Sequence, residues 1–335
     1  MHALDQLAVS MEQNREVLAA YSRYLNYHPR ILDADMVDGL VRECGVDRHE
    51  AYLALFAAVL GWEPDENPTH RALERHYLRP GLHRLDPTVY QNDPYCRAVR
   101  FPNVKNGAWE LRESSYAPFE PFVCNHPVTT PEWRQIPQIG YFTEEFRFPA
   151  VLENGIEWMT VTPNEIETMR APIAHAHGRV LTLGLGLGYF AFSAAQKADV
   201  ERVTVIERDR RVIELFHTHL LPQFPHREKI RVIEGDAIAF VEHCDADSFD
   251  TLFADLWHDQ GDGLELYMRL RGIEKRRALP CVDYWIEPTL LWSLRDMVWD
   301  MLQSGNAPRP AHTDPLSLLT DAALRDLAAD LKRLR

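Results

Sequence analysis

The sequence predicts an α/β protein whose main domain is a doubly wound, mostly parallel sheet with helices on both faces. From residue 179 onward, strand-like and helix-like segments alternate along the chain. Four of the strand-like segments are short apolar runs bounded by turn residues, as expected for parallel strands that are buried on both faces. A glycine-rich stretch follows the first of them. This alternation implies parallel strands joined by right-handed crossovers.

The individual elements follow from local patterns. The segment FRFPAVLENGIEWMTV predicts two strands joined at Asn154-Gly155, because both residues tolerate the positive φ of a tight hairpin turn. The later strands are predicted at 179–184, 202–207, 230–234, 249–255 and 281–286, and the helices at 188–197, 209–220, 236–243, 262–272 and 288–303.

A helix is predicted between the hairpin and the alternating region. Thr162 is its expected N-cap, Pro163 occupies the first helical position, and Glu165 closes a capping box. The helix is predicted to run to His177, with Gly178 just past its end.

The chain is predicted to have four segments. The first has apolar residues at helical spacing with Gly45 as a helix stop, and its helices are expected to be packing or homodimerisation elements rather than a DNA-binding helix pair. The second is rich in Pro, Asn, His and aromatic residues and has poor periodicity, which predicts an irregular region with short strands. The segments are a helical part at 1–62, an irregular cap or substrate region at 63–145, the α/β domain with its hairpin at 146–303, and a linker with a C-terminal amphipathic helix (about 316–334) at 304–335.

Composition limits the functional classes. The chain has 36 Lys and Arg against 50 Asp and Glu, a formal net charge of −14, which argues against a general nucleic-acid binder. No apolar run approaches the roughly 20 residues of a membrane span. The N-terminus lacks a basic start followed by an apolar core, and the five cysteines contain no Cys-x-x-Cys pair. We therefore expect a cytoplasmic protein with reduced thiols.

The stretch RVLTLGLGLGYFAFSAA places Gly184, Gly186 and Gly188 between the first predicted strand and its helix. Doubly wound sheets bind ligands at the carboxyl ends of strands, and glycine lets the main chain approach a ligand closely. The third glycine comes one residue too early for a dinucleotide loop, Tyr189 replaces the glycine needed for helix packing, and the Lys of a phosphate-binding loop is absent. A small-molecule site and a purely structural turn are both compatible with this pattern.

Two carboxylates follow the next two strands. Glu207 ends the second strand, where a carboxylate can accept hydrogen bonds from both hydroxyls of a ribose, with Arg208 beside it. Asp236, followed by Ala237, begins the loop after the third strand, where it can accept from an adenine amino group. Each acid has a structural alternative as a helix cap, and Glu207 fits NAD as well. Together with the glycine loop they predict an adenosyl cofactor.

The region 146–290 resembles class I S-adenosylmethionine-dependent methyltransferases, and most of all their spermidine-synthase-type branch. The lead-in AVLENGIEWMTVTPNEIETM is similar to that branch's hairpin, L-x-x-G-x-x-Q-x-T followed by D-E. The resemblance covers less than half of the chain. It implies S-adenosylmethionine as the cofactor, bound by Gly184, Gly186, Gly188, Glu207, Arg208, Asp236, Ala237 and Asp255.

The chain departs from these families at three places. Many methyltransferases carry an acid two residues before the first glycine, where this chain has Thr182. Aminopropyltransferases carry an Asp inside the glycine loop, where this chain has Leu187, and their Asp-x-x-Asp amine pair is replaced by the differently spaced Asp255 and Asp259. Thr182 puts the usual contact to the cofactor's amino group in doubt, whereas the other two departures favour methyl transfer over aminopropyl transfer.

The loop FADLWHDQGDG follows the fourth strand and resembles the corresponding loop of catechol O-methyltransferase. The resemblance implies that Asp255 lines the cofactor pocket, Trp257 forms a wall, and His258 is a general base, the role a neutral imidazole performs near pH 7. The acids of this region are compatible with a magnesium site or with helix capping, and capping is preferred, so no metal is predicted. The acids concerned are Asp255, Asp259, Asp262 and Glu287.

The sequence thus predicts an S-adenosylmethionine-dependent methyltransferase that acts on an O- or N-nucleophile of a small molecule. A spermidine-synthase-like aminopropyltransferase is the first alternative. A non-catalytic S-adenosylmethionine-binding regulatory or assembly protein is the second, and it is favoured by Thr182.

Overall fold

The computed structural model describes residues 3–304, so the predicted C-terminal helix at about 316–334 lies outside the described residues. The described chain forms two compact units that alternate along the sequence. Unit one comprises residues 3–93, 113–149 and 162–167, and unit two comprises residues 94–112, 150–161 and 168–304.

The helices begin and end as follows. The α-helices of the described residues are, in chain order, α1 Ala3–Tyr27, α2 Ala34–Cys44, α3 Arg48–Val59, α4 Pro68–Leu73, α5 Arg79–Gly81, α6 Pro87–Gln91, α7 Pro94–Ala98, α8 Pro163–Thr168, α9 Arg170–His175, α10 Tyr189–Ala195, α11 Arg210–Leu215, α12 Ala237–His243, α13 Gln260–Arg277 and α14 Glu287–Ser304. Single π-helical turns, Glu74–Leu78 and Phe216–Leu220, follow α4 and α11.

The strands form three sheets in the described chain, with the orders β1-β5-β4, β2-β3-β6-β7 and β10-β9-β8-β11-β12. The strands are β1 Leu82–Arg84, β2 Val104–Asn106, β3 Trp109–Tyr116, β4 Phe122–Thr129, β5 Gln135–Tyr141, β6 Phe146–Glu153, β7 Ile156–Thr160, β8 Gly178–Leu183, β9 Val200–Glu207, β10 Ile230–Glu234, β11 Thr251–Ala254 and β12 Val282–Tyr284.

Unit one contains α1 to α3 and the three-stranded sheet, around an aromatic core that includes Tyr52 and Phe56. Gly45 ends α2 with a φ of 70°, as the sequence predicted. In the region 63–145, predicted to be irregular with short strands, β4 and β5 pair as an antiparallel ladder. The pairing register shifts on both sides of Asn125, next to Pro127, which has no N–H to donate. Such a bulged strand carries no readable alternation of polar and apolar residues.

Unit two contains the parallel sheet, and its five strands agree with the predicted ones to within a few residues. The order places β8 in the centre, with β9 and β10 on one side and β11 and β12 on the other. Because the direction of winding reverses at β8, right-handed crossovers place helices on opposite faces of the sheet. The predicted α/β class with a parallel sheet is therefore confirmed, and the strand order is consistent with the predicted doubly wound arrangement.

The helix predicted to run from Pro163 to His177 was wrong in its extent. It is two short helices, α8 and α9, separated at Met169, which has a φ of −88° and a ψ of −6°. Pro172 lacks the N–H that would continue the ladder and its ring crowds the preceding turn, so a continuous helix is broken there. Gly178 is the first residue of β8, with a φ of 59°, rather than a helix stop.

The hairpin β6–β7 turns at Asn154 and Gly155, which have φ values of 53° and 83°, as predicted for a tight hairpin turn. Its ladder has a register shift, because Val151 pairs with Met159 whereas the next residue, Leu152, pairs with Glu157. Trp158 is therefore an extra residue on β7, and this bulge changes the direction of its neighbours. Within residues 3–304, no helix has both the length and the apolar character needed to span a bilayer.

Candidate functional site

The carboxyl ends of the parallel strands lie at one edge of the sheet in unit two. Leu183 at the end of β8 is level with Ile206 on one side and Ala254 on the other. Glu207 is in turn level with Glu234 of β10. The loops that hold the predicted glycines and carboxylates therefore leave the sheet at a single edge, beside the point where the strand order reverses.

The three predicted glycines have the left-handed backbone that favours glycine, with φ values of 94° at Gly184, 49° at Gly186 and 73° at Gly188. A Cβ atom on Gly184 would overlap the main-chain carbonyl of Asp255. A Cβ atom on Gly188 would lie 2.5 Å from the ring of Phe216. Two of the three glycines are thus required by close packing within the protein, and their contact with a ligand stays a prediction.

The third glycine faces a side chain that the sequence reading did not connect with this loop. A Cβ atom on Gly186 would overlap the sulfur of Met159, on β7. The same sulfur accepts a hydrogen bond from the N–H of Leu187 over 3.2 Å. The end of a flexible, half-buried methionine therefore lies on the glycine loop.

The glycine loop is held from behind by main-chain bonds and by one tyrosine. The N–H of Gly184 donates to the carbonyl of Ile206 over 2.9 Å. Buried Tyr95, on α7, donates its hydroxyl to the carbonyl of Leu187 over 2.6 Å. Tyr95 lies in the segment that was predicted to be irregular, and no sequence signal connected it with a loop 92 residues away.

Glu207 lies beside the glycine loop, and its contact with a ribose stays a prediction. Its carboxylate accepts hydrogen bonds from the N–H of Leu185 over 3.2 Å and from the N–H of Asp209 over 2.8 Å. Burial raises the pKa of Glu207 above its usual range, although these N–H groups lower it in part. The result is a half-buried carboxylate that touches the loop after β8 from the end of β9.

A second, unpredicted acid follows Glu207. Asp209 forms an ion pair with Arg211, with an N–O distance of 2.6 Å, and accepts a hydrogen bond from the indole of Trp109 over 2.9 Å. Arg211 and then Trp109 hold the pKa of Asp209 well below its usual range. This contact attaches β3 to the loop after β9. The pairing of a Trp and an Asp 100 residues apart left no pattern in the sequence.

Two further predicted cofactor contacts, Arg208 and Asp236, have exposed side chains next to these loops. Arg208 is exposed, and its charge lowers the pKa of Glu207 slightly. Asp236 is exposed and accepts the N–H of Ala239 over 2.7 Å, as the N-cap of α12, and Ala237 is buried behind it. The capping role of Asp236 is confirmed, whereas its adenine contact stays a prediction.

Asp255 begins the loop after β11, and its N–H donates to the carbonyl of Leu183 over 2.9 Å. Trp257 follows and is only 3% exposed. Its indole packs against Gly263 of α13, where a Cβ atom would lie 2.7 Å from the ring. Among the described residues, none accepts a hydrogen bond from the indole N–H of Trp257.

The remaining acids of this loop cap the next helix. Asp259 accepts the N–H of Asp262 over 3.4 Å, and Asp262 accepts the N–H of Asp259 over 2.9 Å, which forms a capping box at the start of α13. Glu287 accepts the hydroxyl of Tyr267 over 2.7 Å, and burial raises its pKa. Across residues 3–304, no three His, Cys, Asp or Glu side chains form a group suited to a metal ion.

His258 is exposed, and its ring is held by the hairpin. Its Nε2 lies 2.9 Å from the carbonyl oxygen of Glu157. Because a carbonyl only accepts, Nε2 carries the hydrogen, and the neutral ring keeps its lone pair on Nδ1. That Nδ1 lies 3.8 Å from a carboxylate oxygen of Asp259. The ring of the bulged Trp158 lies 6.0 Å from that of His258.

No protein-family model matches the sequence, and no curated protein matches it. Among solved structures, a spermidine synthase from Thermotoga maritima is 16% identical, with a TM-score of 0.32 over 46% of this chain and 60% of that chain. A spermidine synthase in complex with the transition state analogue AdoDATO is 19% identical, with a TM-score of 0.31 over 40% of this chain and 51% of its own. A Klebsiella pneumoniae protein assigned as an O-methyltransferase is 22% identical, with a TM-score of 0.25 over 31% and 47%.

The chain thus spans between 47% and 60% of the length of these three structures. At these levels the likeness concerns the fold alone. The class of site is defined instead by the geometry of unit two: a glycine loop at the winding reversal of a parallel sheet, with a half-buried carboxylate bonded to it.

Proposed function

We propose that unit two binds S-adenosylmethionine over the glycine loop and transfers its methyl group to an oxygen or nitrogen nucleophile of a small molecule. The observation that carries the proposal is the contact between Glu207 and the N–H of Leu185. It puts a half-buried hydrogen-bond acceptor beside a glycine loop, at the place where doubly wound sheets bind nucleosides.

The residues fit an adenosyl group with one condition. Glu207 is positioned to accept from two adjacent hydroxyls, since a carboxylate accepts more hydrogen bonds than the two it already receives here. The condition is Met159, whose sulfur lies against Gly186. A methionine end has three rotatable bonds and is polarizable, so a change of rotamer clears the loop without a main-chain movement.

S-adenosylmethionine, when bound, supplies an electrophilic methyl group on a sulfonium. The task of the protein is then mainly to align the acceptor with that group and to exclude water. His258 is the proposed base, because Nδ1 of its neutral ring has a lone pair for the proton that the acceptor releases. The bond from Nε2 to Glu157 fixes the ring while Nδ1 takes that proton.

Methyl transfer is favoured over aminopropyl transfer because an acid expected to bind an amine after β11 has a structural role instead. Asp259, one of the two acids that stand in place of the amine pair, is the N-cap of α13 and is held toward its own helix. Leu187, which stands where aminopropyltransferases have an Asp in the resemblance, is fully buried. These facts support a methyl acceptor without a requirement for a polyamine.

A binding protein without catalysis is the second candidate, and the position of Met159 favours it. In such a protein, the Met159 side chain would cover the glycine loop when no ligand is bound, and the ligand would displace it to give a signal rather than a reaction. Thr182, at the position of the missing acid, is buried inside β8. The expected cytoplasmic location and a homodimer through the N-terminal helices remain proposals that accompany either candidate.

The test is a titration of the full chain with S-adenosylhomocysteine by calorimetry, followed by turnover of S-adenosylmethionine with panels of phenols, carboxylates and amines. Saturable binding plus acceptor-dependent formation of S-adenosylhomocysteine supports the methyltransferase. Binding without turnover on any panel supports the regulatory candidate. Absence of any adenosyl binding contradicts both.

A further inference from the structure

The glycine loop and the hairpin β6–β7 are joined by one side chain that neither the fold nor the proposed chemistry requires. This side chain is that of Met159, whose sulfur accepts a hydrogen bond from the N–H of Leu187 over 3.2 Å. The sulfur also fills the space that a Cβ atom on Gly186 would occupy. The corresponding space is filled by main chain at Gly184 and by aromatic rings at Gly188, but at Gly186 it is filled by the end of a flexible side chain.

The bulge in β7 explains how the methionine comes to lie there. Trp158 is the extra residue of the ladder, so the alternation of side chains is interrupted between Glu157 and Met159. The ring of Trp158 lies 6.0 Å from those of Trp109 and His258. The bulge therefore places the side chain of Trp158 beside the rings of Trp109 and His258, and the side chain of Met159 against the glycine loop.

The same N–H and the same open face are what a ligand uses when it docks on a glycine loop. A thioether sulfur is a weak acceptor, and a ligand oxygen is a stronger one for that N–H. A ligand oxygen that displaces the sulfur therefore forms a stronger hydrogen bond with the N–H of Leu187. This bond forms only in molecules in which the Met159 side chain has moved away from Gly186. The apparent affinity is reduced by the fraction of molecules in which the loop is covered.

We propose that Met159 is the residue that sets ligand affinity at the glycine loop, by competing with the ligand for Gly186 and for the N–H of Leu187. This inference rests on the proposed function, since it takes an adenosyl ligand as the competitor. It adds a determinant on the hairpin to a site that otherwise consists of loops of the parallel sheet.

The experiment compares the full chain with its Met159→Ala and Met159→Leu variants by calorimetric titration with S-adenosylhomocysteine. Met268→Ala is the matched control, because Met268 is also half-buried but lies on α13. The alanine variant should bind about tenfold more tightly, the order expected for removal of one competing hydrogen bond with its packing. The leucine variant, which keeps the bulk and loses the acceptor, should bind more tightly by a smaller factor, and the control should match wild type.

Methyl-labelled methionine NMR gives a second, independent measure. The chain has eight methionines, and the resonance that disappears in Met159→Leu identifies the one of interest. It should shift on addition of S-adenosylhomocysteine and follow the same binding curve. Binding with equal affinity in all four proteins and an unmoved resonance overturns the inference and leaves the proposed function standing. No binding in any of them overturns the proposed function itself.

Discussion

The loops after β8 and β11 leave the same edge of the sheet, yet they use their residues in opposite ways. The loop after β8 has no charged side chain and presents main-chain N–H groups, to which Glu207 and Met159 supply the acceptors. The loop after β11 is rich in acids, and Asp259 and Asp262 satisfy N–H groups of their own segment as a helix cap.

The difference indicates which loop is prepared for a ligand. The acceptors on the β8 loop come from distant segments, so a ligand can replace one of them without unfolding the loop. The acceptors on the β11 loop are part of the start of α13, and their removal weakens the helix. We therefore expect substitutions around β8 to change ligand affinity and those in the β11 cap to change stability, with His258 as the exception that changes turnover.

The largest effect is expected from Gly184→Ala. The new Cβ would overlap the carbonyl of Asp255, which is main chain and cannot rotate away. With the left-handed backbone at a φ of 94°, we expect a loss of about 3 kcal/mol or more of unfolding free energy. Gly155→Ala is the control, because Gly155 has a φ of 83° but open space around its Cβ position, and it should lose about 1 kcal/mol. Equal losses in urea denaturation contradict the packing argument.

His258→Ala should reduce turnover about hundredfold, at the lower end of general-base contributions, and leave the affinity for S-adenosylhomocysteine unchanged. His243→Ala is a matched control, since His243 is also exposed but lies at the end of α12. Single-turnover rates at saturating cofactor measure the effect. An unaltered rate removes His258 from the mechanism.

Glu207→Ala should weaken binding of S-adenosylhomocysteine by about 1–3 kcal/mol, the range for hydrogen bonds to a charged group. Glu234→Ala is the control, because Glu234 occupies the equivalent register position on β10 and is exposed. Calorimetry on both variants measures the difference. If the two variants lose the same affinity, Glu207 has no specific role in holding the ribose.

Asp262→Ala should lower the unfolding free energy by about 1 kcal/mol through loss of its part in the capping box, with ligand affinity unchanged. Glu265→Ala, an exposed acid one turn later on α13, should have little effect. Thermal unfolding with and without magnesium measures both. Strong stabilisation of wild type by magnesium that is lost in Asp262→Ala would instead identify a metal site.

The smallest effect is the pH dependence of Glu207. Its native pKa is raised above the ordinary value of 4.5, so the native state retains this proton after the unfolded chain has lost it. The contribution of the group to stability is then complete below that value and is lost as the pH rises through the native pKa. Glu207→Gln should therefore gain stability relative to wild type over the pH range that begins near 4.5, where the unfolded chain loses this proton and the native state still keeps it. A constant difference over this range contradicts the raised pKa.

Unit two was largely predictable because its signals are local. Buried parallel strands are short apolar runs, and the turn residues between them, such as Asn154 and Gly155, act through their own φ values. The break between α8 and α9 also had a local signal in Pro172, although a continuous helix was predicted there. In unit one, the strand around Pro127 was unreadable because bulges remove the alternation that identifies an antiparallel strand.

The sequence by itself determined the order of strands and helices, the glycine loop and the acid at the end of β9, since each depends on residues that are neighbours in the chain. Only the tertiary structure decided what touches that loop. Met159, Tyr95 and the carbonyl of Asp255 reach it from three different segments. Contacts between distant segments are set by packing of the whole unit, and a single sequence has no periodicity that records them.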